Sequence, residues 1–242
     1  MVNQIENEFI HIVESAITFQ GEMFSGQRVL LLRFKNCNRV KGVSRFAKDI
    51  EPCRFCDTFN KMNELEENKV SILDIQKIVD DNKCGVMITG GEPTYAKNFA
   101  ETFKIIENID SNIQIETNGF FLVELVESVS KLYKDNINRM NKIKYVFSPK
   151  IFSLLELGEC IEISKKLSSN DNFYIKLVYQ NTAYVTKFLE EISKLSMNNR
   201  IYIMPEGKTK EELLGNTQKV LDIANEYNFN FSSRLHILHN FV

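Results

Sequence analysis

No stretch of the chain approaches the roughly 20 apolar residues that cross a bilayer, and the opening MVNQIENEF has no basic flank leading into an apolar run. Neither a membrane span nor a targeting segment is expected, and the expected location is cytoplasmic. Charge of one sign is scarce too: 30 Lys and Arg against 32 Asp and Glu leave a formal net charge of -2. Affinity for a phosphate backbone comes from clustered Lys and Arg, so the expected partner is a small molecule and not nucleic acid. Cysteines number five and histidines three. An odd handful of cysteines in a reducing compartment argues against a disulfide framework and for metal binding or catalysis. Low-complexity segments and linkers are also missing, so 242 residues, 43% of them hydrophobic, read as one large domain over 1–242.

What is present alternates between short β-branched runs and longer amphipathic ones. Strands are expected at Val29–Phe34, Val86–Thr89, Ile113–Thr117, Tyr145–Ser148, Phe173–Tyr179 and Ile201–Met204. Between them lie helical patterns. SILDIQKIVDDN repeats apolar residues at Ile72, Ile75, Ile78 and Val79 behind a Ser71 cap, and TKEELLGNTQKVLDIANEY opens on a Thr209/Glu212 capping box. Strand, helix, strand at this spacing means a parallel sheet, and the near-continuous apolar runs IYIM and YIKLV suggest strands covered on both faces. All four prolines are expected in loops, and Pro93, Pro149 and Pro205 each follow a strand directly. Binding residues of parallel α/β folds collect at those carboxyl ends, so TGGEP, ETNG, SPK and MPEG would converge on one rim.

Three of the five cysteines fall within the 24 residues Asn36 to Phe59. Cys53 and Cys56, in CRFC, are close enough to share one metal centre, with Cys37 as a third ligand. A structural zinc site wants four ligands and would have to recruit His11, His236 or Cys84 from a distance. A 4Fe-4S cluster held by three leaves one iron open to a further ligand. Cys84 and Cys160 read as small buried hydrophobes.

At these residues the chain resembles the radical S-adenosylmethionine superfamily and, within it, the 7-carboxy-7-deazaguanine synthase family. The resemblance rests on FQGE from Phe19 to Glu22, RVLLLRFKNCN leading into Cys37, CRFCDT from Cys53 to Thr58, TGGEP, ETNG, SPK, MPEG and the closing RLHIL, in this order across almost the whole chain. It implies an α/β fold: a partial (β/α) barrel of about six mostly parallel strands, open on one side. It also implies a 4Fe-4S cluster on Cys37, Cys53 and Cys56, with S-adenosylmethionine bound by its amino and carboxylate groups. The cofactor would be lined by Phe55, Cys56, Asp57, Gly90, Gly91, Glu92, Asn118, Ser148, Pro149, Lys150, Met204, Pro205, Glu206 and Gly207. Gly90 and Gly91, lacking side chains, would let the backbone approach the methionine moiety. No residue is expected to be catalytic beyond the cluster and the cofactor's 5′-deoxyadenosyl radical.

The implied reaction is ring contraction of 6-carboxytetrahydropterin to 7-carboxy-7-deazaguanine with loss of ammonia, feeding queuosine-type deazapurine biosynthesis. Phe19, Gln20, Gly21, Glu22, Arg33, Thr89 and His236 would meet the substrate, and Thr58 would place its hydroxyl on Mg²⁺. Val29, Leu31 and Arg33 share one strand face, and a guanidinium there needs an anionic partner: the substrate carboxylate, or a structural ion pair. A flavodoxin- or ferredoxin-type reductase and a homodimer are the other implied partners. Two features need weighing. Cys37 and Cys53 are separated by 15 residues where most radical S-adenosylmethionine enzymes have three, a loop that costs only about 1.4 kcal/mol more to close and that is similar to the long spacings of the synthase family. The insert at about 38–52 is expected as a surface excursion, with Arg39, Lys41, Arg45 and Lys48 forming a solvated basic face. QGEM stands where QGEG is usual, which touches the local turn. A glycyl-radical activase would share the cluster and GGEP without needing QGE, Arg33 or DT; a zinc-stabilised binding module would purify without iron, and a regulatory protein would use the insert as its contact surface.

Overall fold

The computed structural model of the chain describes residues 8–45, 48–50, 52–53, 56 and 65–240. Its strands are β1 (Phe9–Ile12), β2 (Glu14–Phe19), β3 (Arg28–Phe34), β4 (Asn68–Ser71), β5 (Gly85–Gly90), β6 (Ile113–Thr117), β7 (Ile143–Phe147), β8 (Phe173–Tyr179), β9 (Ile201–Pro205) and β10 (Asn230–Phe231). The helices are α1 (Ile72–Asn82), α2 (Lys97–Asn108), α3 (Leu122–Leu132), α4 (Ile137–Met140), α5 (Leu154–Leu167), α6 (Ala183–Ile192), α7 (Lys210–Tyr227) and α8 (Leu235–Leu238). One sheet runs β10-β9-β8-β7-β6-β5-β3-β2, and β1 pairs with β4 in a small antiparallel one. From β3 through β10 every pairing in the large sheet is parallel, while β2 returns antiparallel on β3. The sheet order ends at β2 and β10 without closing. This is the open, mostly parallel α/β sheet that the sequence leads one to expect, its six central strands being the six predicted.

Membership of the main core alternates along these strands with period two. Leu30, Leu32 and Phe34 of β3, Val86 and Ile88 of β5, Ile113 and Ile115 of β6, Tyr145 and Phe147 of β7, Phe173, Ile175 and Leu177 of β8, and Ile201 and Ile203 of β9 all join the main hydrophobic core. The helices close over that face. In α1, Ile72, Ile75 and Val79 are buried, each stabilising the layer by about 1.5–3 kcal/mol. Its start is set by Ser71, whose hydroxyl accepts from the Leu73 N–H at 3.1 Å, and α7 starts at the reciprocal Thr209/Glu212 capping box.

The opposite sheet face is less uniform than the apolar runs suggest. Near the amino ends of the strands, Phe24 packs on Tyr174 and Tyr202, with the Lys144 ammonium over its ring. Near the carboxyl ends this face turns polar. Pro205 is the last residue of β9 and not part of a loop; on its outward side β9 has only the two-residue β10 for a partner, so a missing N–H costs little there. Among the described residues no helix is long and apolar enough to cross a membrane.

Candidate active site

A cavity of about 660 Å³ opens on the polar part of that face. The strands supply it in register: Leu31 and Arg33 from β3, Met87 and Thr89 from β5, Glu116 and Thr117 from β6, and Lys176 and Val178 from β8. The turn after β2 brings Gln20, Gly21 and Glu22, and the C-terminal segment brings Arg234 and His236. That turn is held by the Leu235 N–H, which donates to the Gly21 carbonyl at 2.7 Å. A Cβ on Gly21 would lie 2.8 Å from His236 Nδ1, so only glycine permits this approach.

The inner end is charged and buried. Lys176 Nζ donates to Glu22 and, at 2.8 Å, to Glu116 Oε2. Arg234 Nε donates to the other Glu22 oxygen at 3.3 Å. Burial opposes charge on Glu22, but Lys176, Arg234 and His236 outweigh it and hold the carboxyl below its ordinary range. Burial likewise opposes charge on Lys176, and Glu116 and Glu22 overcome it, keeping the ammonium charged above the usual lysine range. Gln20 Nε2 reaches the Met87 sulfur at 2.9 Å, while Phe19 is 55% exposed beside the opening. Arg33 lines the cavity with its Nε bonded to Glu14 Oε2 at 2.5 Å. The structural ion pair considered for Arg33 is therefore present.

At the outer end the TGGEP and ETNG loops form a braced wall. A Cβ on Gly90 would meet Arg33 Cγ at 2.4 Å, and one on Gly91 would meet the Asn36 carbonyl oxygen at 2.1 Å. Both glycines line the cavity, and they are also required because the loop presses on the backbone that leads into Cys37. Glu92 faces the same wall: its carboxylate accepts from the Thr94 N–H at 2.9 Å, the Asn118 N–H at 2.6 Å and the Thr117 hydroxyl. Burial raises its pKa, and those donors offset the rise only in part. Asn118 Nδ2 then donates to Asn38 Oδ1 at 2.7 Å, tying β6 to the cysteine segment.

Cys37, Cys53 and Cys56 are half-buried, carry no disulfide and all line this cavity, whereas Cys84 and Cys160 are buried away from it. Burial pushes the Cys37 thiol up to about 12. It also raises Cys53, against the pull of Lys150 and Arg39. Among the described residues no three His, Cys, Asp or Glu side chains are arranged to hold a metal ion. Three thiols opening onto one cavity beside two cations nevertheless match the donor chemistry of an iron–sulfur cluster, whose binding itself deprotonates the thiols. His11 bonds to Glu101 at 2.7 Å, and neither His11 nor Cys84 lines the cavity. Phe55, Asp57 and Thr58 lie outside the described residues.

The described part of the insert is solvated only in part: Lys41 and Lys48 are exposed as expected, but Arg39 and Arg45 are not. Arg39 is buried against Glu156 of α5 at 2.6 Å, Arg45 pairs with Glu124 of α3 at 2.6 Å, and the Ser44 hydroxyl donates to Glu159 at 3.2 Å. Acidic residues on two neighbouring helices make a docking face that sequence spacing alone could not reveal. Ser148 and Lys150 line the cavity, joined at 2.8 Å from Nζ to Oγ, while Pro149, Met204, Pro205, Glu206 and Gly207 do not. MPEG instead supports the wall, since the Gly207 carbonyl accepts from Arg234 at 2.9 Å. Beyond it, Lys208, Thr209 and Lys210 at the start of α7 line the cavity. Sequence reasoning passed over Lys176 and named Glu116 and Arg234 only as parts of ETNG and RLHIL, with no role of their own. The signal for Lys176 was legible, a lone lysine inside the apolar run YIKLV.

An open α/β sheet with a polar cavity at its strand ends and three thiols on the cavity wall is the arrangement that the motif resemblance led one to expect. No protein-family model matches the chain. It is 26% identical over 244 residues to the 7-carboxy-7-deazaguanine synthase of Hyperthermus butylicus, covering 96% of this chain and 93% of that protein. Streptococcus suis SuiB bound to S-adenosylmethionine shares the fold with a TM-score of 0.52 and 16% identity over 82% of this chain and 45% of SuiB. SuiB bound to its precursor peptide SuiA gives a TM-score of 0.56 at 16% identity, over 88% of this chain and 50% of SuiB. The chain thus spans about half the length of SuiB and nearly all of the synthase. That synthase is a member of the family that the motifs of this chain resemble.

Proposed function

We propose that the chain is a single-domain 7-carboxy-7-deazaguanine synthase that contracts the ring of 6-carboxytetrahydropterin with loss of ammonia. The observation that carries this reading is one cavity lined both by the three cysteines and by a donor- and acceptor-rich inner wall. Cys37, Cys53 and Cys56 would hold the 4Fe-4S cluster, and Gly90, Gly91, Asn118, Ser148 and Lys150 would border bound S-adenosylmethionine. When bound, cluster and cofactor together supply a 5′-deoxyadenosyl radical that abstracts hydrogen from the substrate. The chain's own residues bind and orient. Glu22 accepts from the pyrimidine edge of the pterin, with Gln20, Thr89 and His236 beside it. Arg33 holds five N–H donors in its fork, so with Nε on Glu14 it still has donors for the substrate carboxylate. Thr58 would contribute a hard oxygen to Mg²⁺, and a flavodoxin- or ferredoxin-type protein would deliver electrons to a homodimer. The likeness to the Hyperthermus butylicus synthase and the polarity of the cavity support these assignments.

The test is anaerobic turnover of the iron-loaded protein with S-adenosylmethionine and 6-carboxytetrahydropterin, reading 5′-deoxyadenosine and 7-carboxy-7-deazaguanine together by mass spectrometry. The unmodified protein should make both. Arg33→Ala should still cleave S-adenosylmethionine but fail to make deazaguanine. Losing a charge-assisted carboxylate contact costs about 1.5–3 kcal/mol, at least about a tenfold loss in binding. Absence of deazaguanine from the unmodified protein would defeat the reading, and normal product from Arg33→Ala would remove Arg33 from it.

A further inference from the structure

Lys176 stands mid-strand in β8 with 5% of its surface exposed, on the face that also carries Val178 and the cavity. Its ammonium joins Glu22, from the turn after β2, to Glu116, two strands away on β6. The second Glu22 oxygen takes Arg234 Nε, and the second Glu116 oxygen takes Gln114 Nε2 at 2.9 Å. Two carboxylates and two cations therefore balance at the inner end, and all four line the cavity. Packing alone does not call for this arrangement, because apolar groups of similar volume commonly replace a buried ion network without loss of stability.

Each carboxylate oxygen has two acceptor positions. Lys176 and Arg234 each take one position on a different Glu22 oxygen, so the carboxylate can present two parallel acceptors. We propose that Lys176 is a positioning residue: by bridging Glu22 to Glu116 it fixes the Glu22 carboxylate across the inner end of the cavity. There Glu22 accepts from a neutral ligand edge carrying two adjacent N–H donors, of the 2-amino-4-oxopyrimidine kind. Charge balance disfavours an ion at this end and leaves an anionic substituent to the Arg33 side. An acceptor already held by two cations also loses little side-chain freedom when a ligand arrives. This deepens the pterin reading and rests on it.

The probe is 6-carboxypterin, a stable fluorescent pterin, titrated into the full chain without reductant so that no turnover occurs. Lys176→Met should weaken binding about tenfold. The loss should grow as pH falls from about 7.5 to about 5.5, because Glu22 would then face Arg234 and His236 from the C-terminal segment and Glu116 from β6 without its nearest cation, and would take up a proton more readily. The unmodified protein should stay level across that range, and Lys176→Arg should recover part of the affinity. Should circular dichroism show Lys176→Met unfolded, Glu116→Gln decides: it frees the anchor but leaves Lys176 on Glu22, so a loss of about threefold with a level pH profile is expected. Unchanged affinity and pH profile in Lys176→Met, or unchanged affinity in Glu116→Gln, would overturn the role of Lys176. Failure of the unmodified protein to bind the pterin would overturn the functional reading itself, and the ligand class with it.

Discussion

Glu92 belongs to TGGEP and lines the cavity, and its carboxylate accepts from Thr94, Thr117 and Asn118, which clasps two loops together. Gly90 and Gly91 likewise answer to the backbone of Phe34 and Asn36. The cysteines divide in the same way between wall and core. Replacing Cys37, Cys53 or Cys56 by Ala should abolish iron loading, because two thiolates do not hold a cluster securely. Cys84→Ala and Cys160→Ala, both at buried sites, should keep full iron while losing about 1–2 kcal/mol of stability. Iron per chain and urea midpoints on all five variants check this. Iron loss from Cys84→Ala or Cys160→Ala with retention in Cys37→Ala would reverse the ligand assignment. The motifs named these residues. Which of them face the cavity depended on how neighbouring loops press on each other.

Elements place the cysteine segment. Its insert is bound to α5 through Arg39 and Glu156 and to α3 through Arg45 and Glu124. Arg39→Ala would leave Glu156 buried without its cation, though Glu156 keeps the Phe152 N–H at 2.9 Å and the Ser153 hydroxyl at 3.2 Å. Breaking a buried pair typically costs about 3–5 kcal/mol, and those two bonds place this case near about 3. Iron retention should fall as well, since Cys37 lies two residues away. Arg45→Ala, at a half-exposed pair, should cost under about 1 kcal/mol and leave iron unchanged. Chemical denaturation and iron analysis of the two variants side by side would separate a docked insert from a solvated one. Equal, small effects would restore the solvated reading.

At the scale of the whole molecule, the charged inner end couples folding to pH. Glu22 has a lowered folded pKa, so its stabilisation is complete above its ordinary value near 4.5 and is lost as pH falls through the lowered one. Glu92, raised by burial, has the opposite sign: the folded state holds its proton longer, so stability falls as pH rises from about 4.5 toward the raised value. Glu22→Gln should flatten the acid limb of the stability curve below about pH 4.5 and leave the Glu92 limb in place. Thermal midpoints from about pH 3 to about 7 measure both. An acid limb as steep in Glu22→Gln as in the unmodified protein would show that other carboxylates carry it.

The sequence by itself determined the open parallel sheet, its six central strands, the Ser71 and Thr209 caps and the cysteine set, because period-two and period-3.6 apolar patterns and cap chemistry are local properties. It left β1, β2, β4 and β10 unread, since these are short or lie at edges where apolar content is low. Only the tertiary structure decided that Lys176 meets Glu22 and Glu116, that Arg39 is buried on α5, that MPEG stands behind the wall and that Arg33 already holds Glu14. Each of these joins residues far apart in the chain. A charged side chain looks the same in sequence whether water or a carboxylate satisfies it, and only the packing of strands and helices settles which.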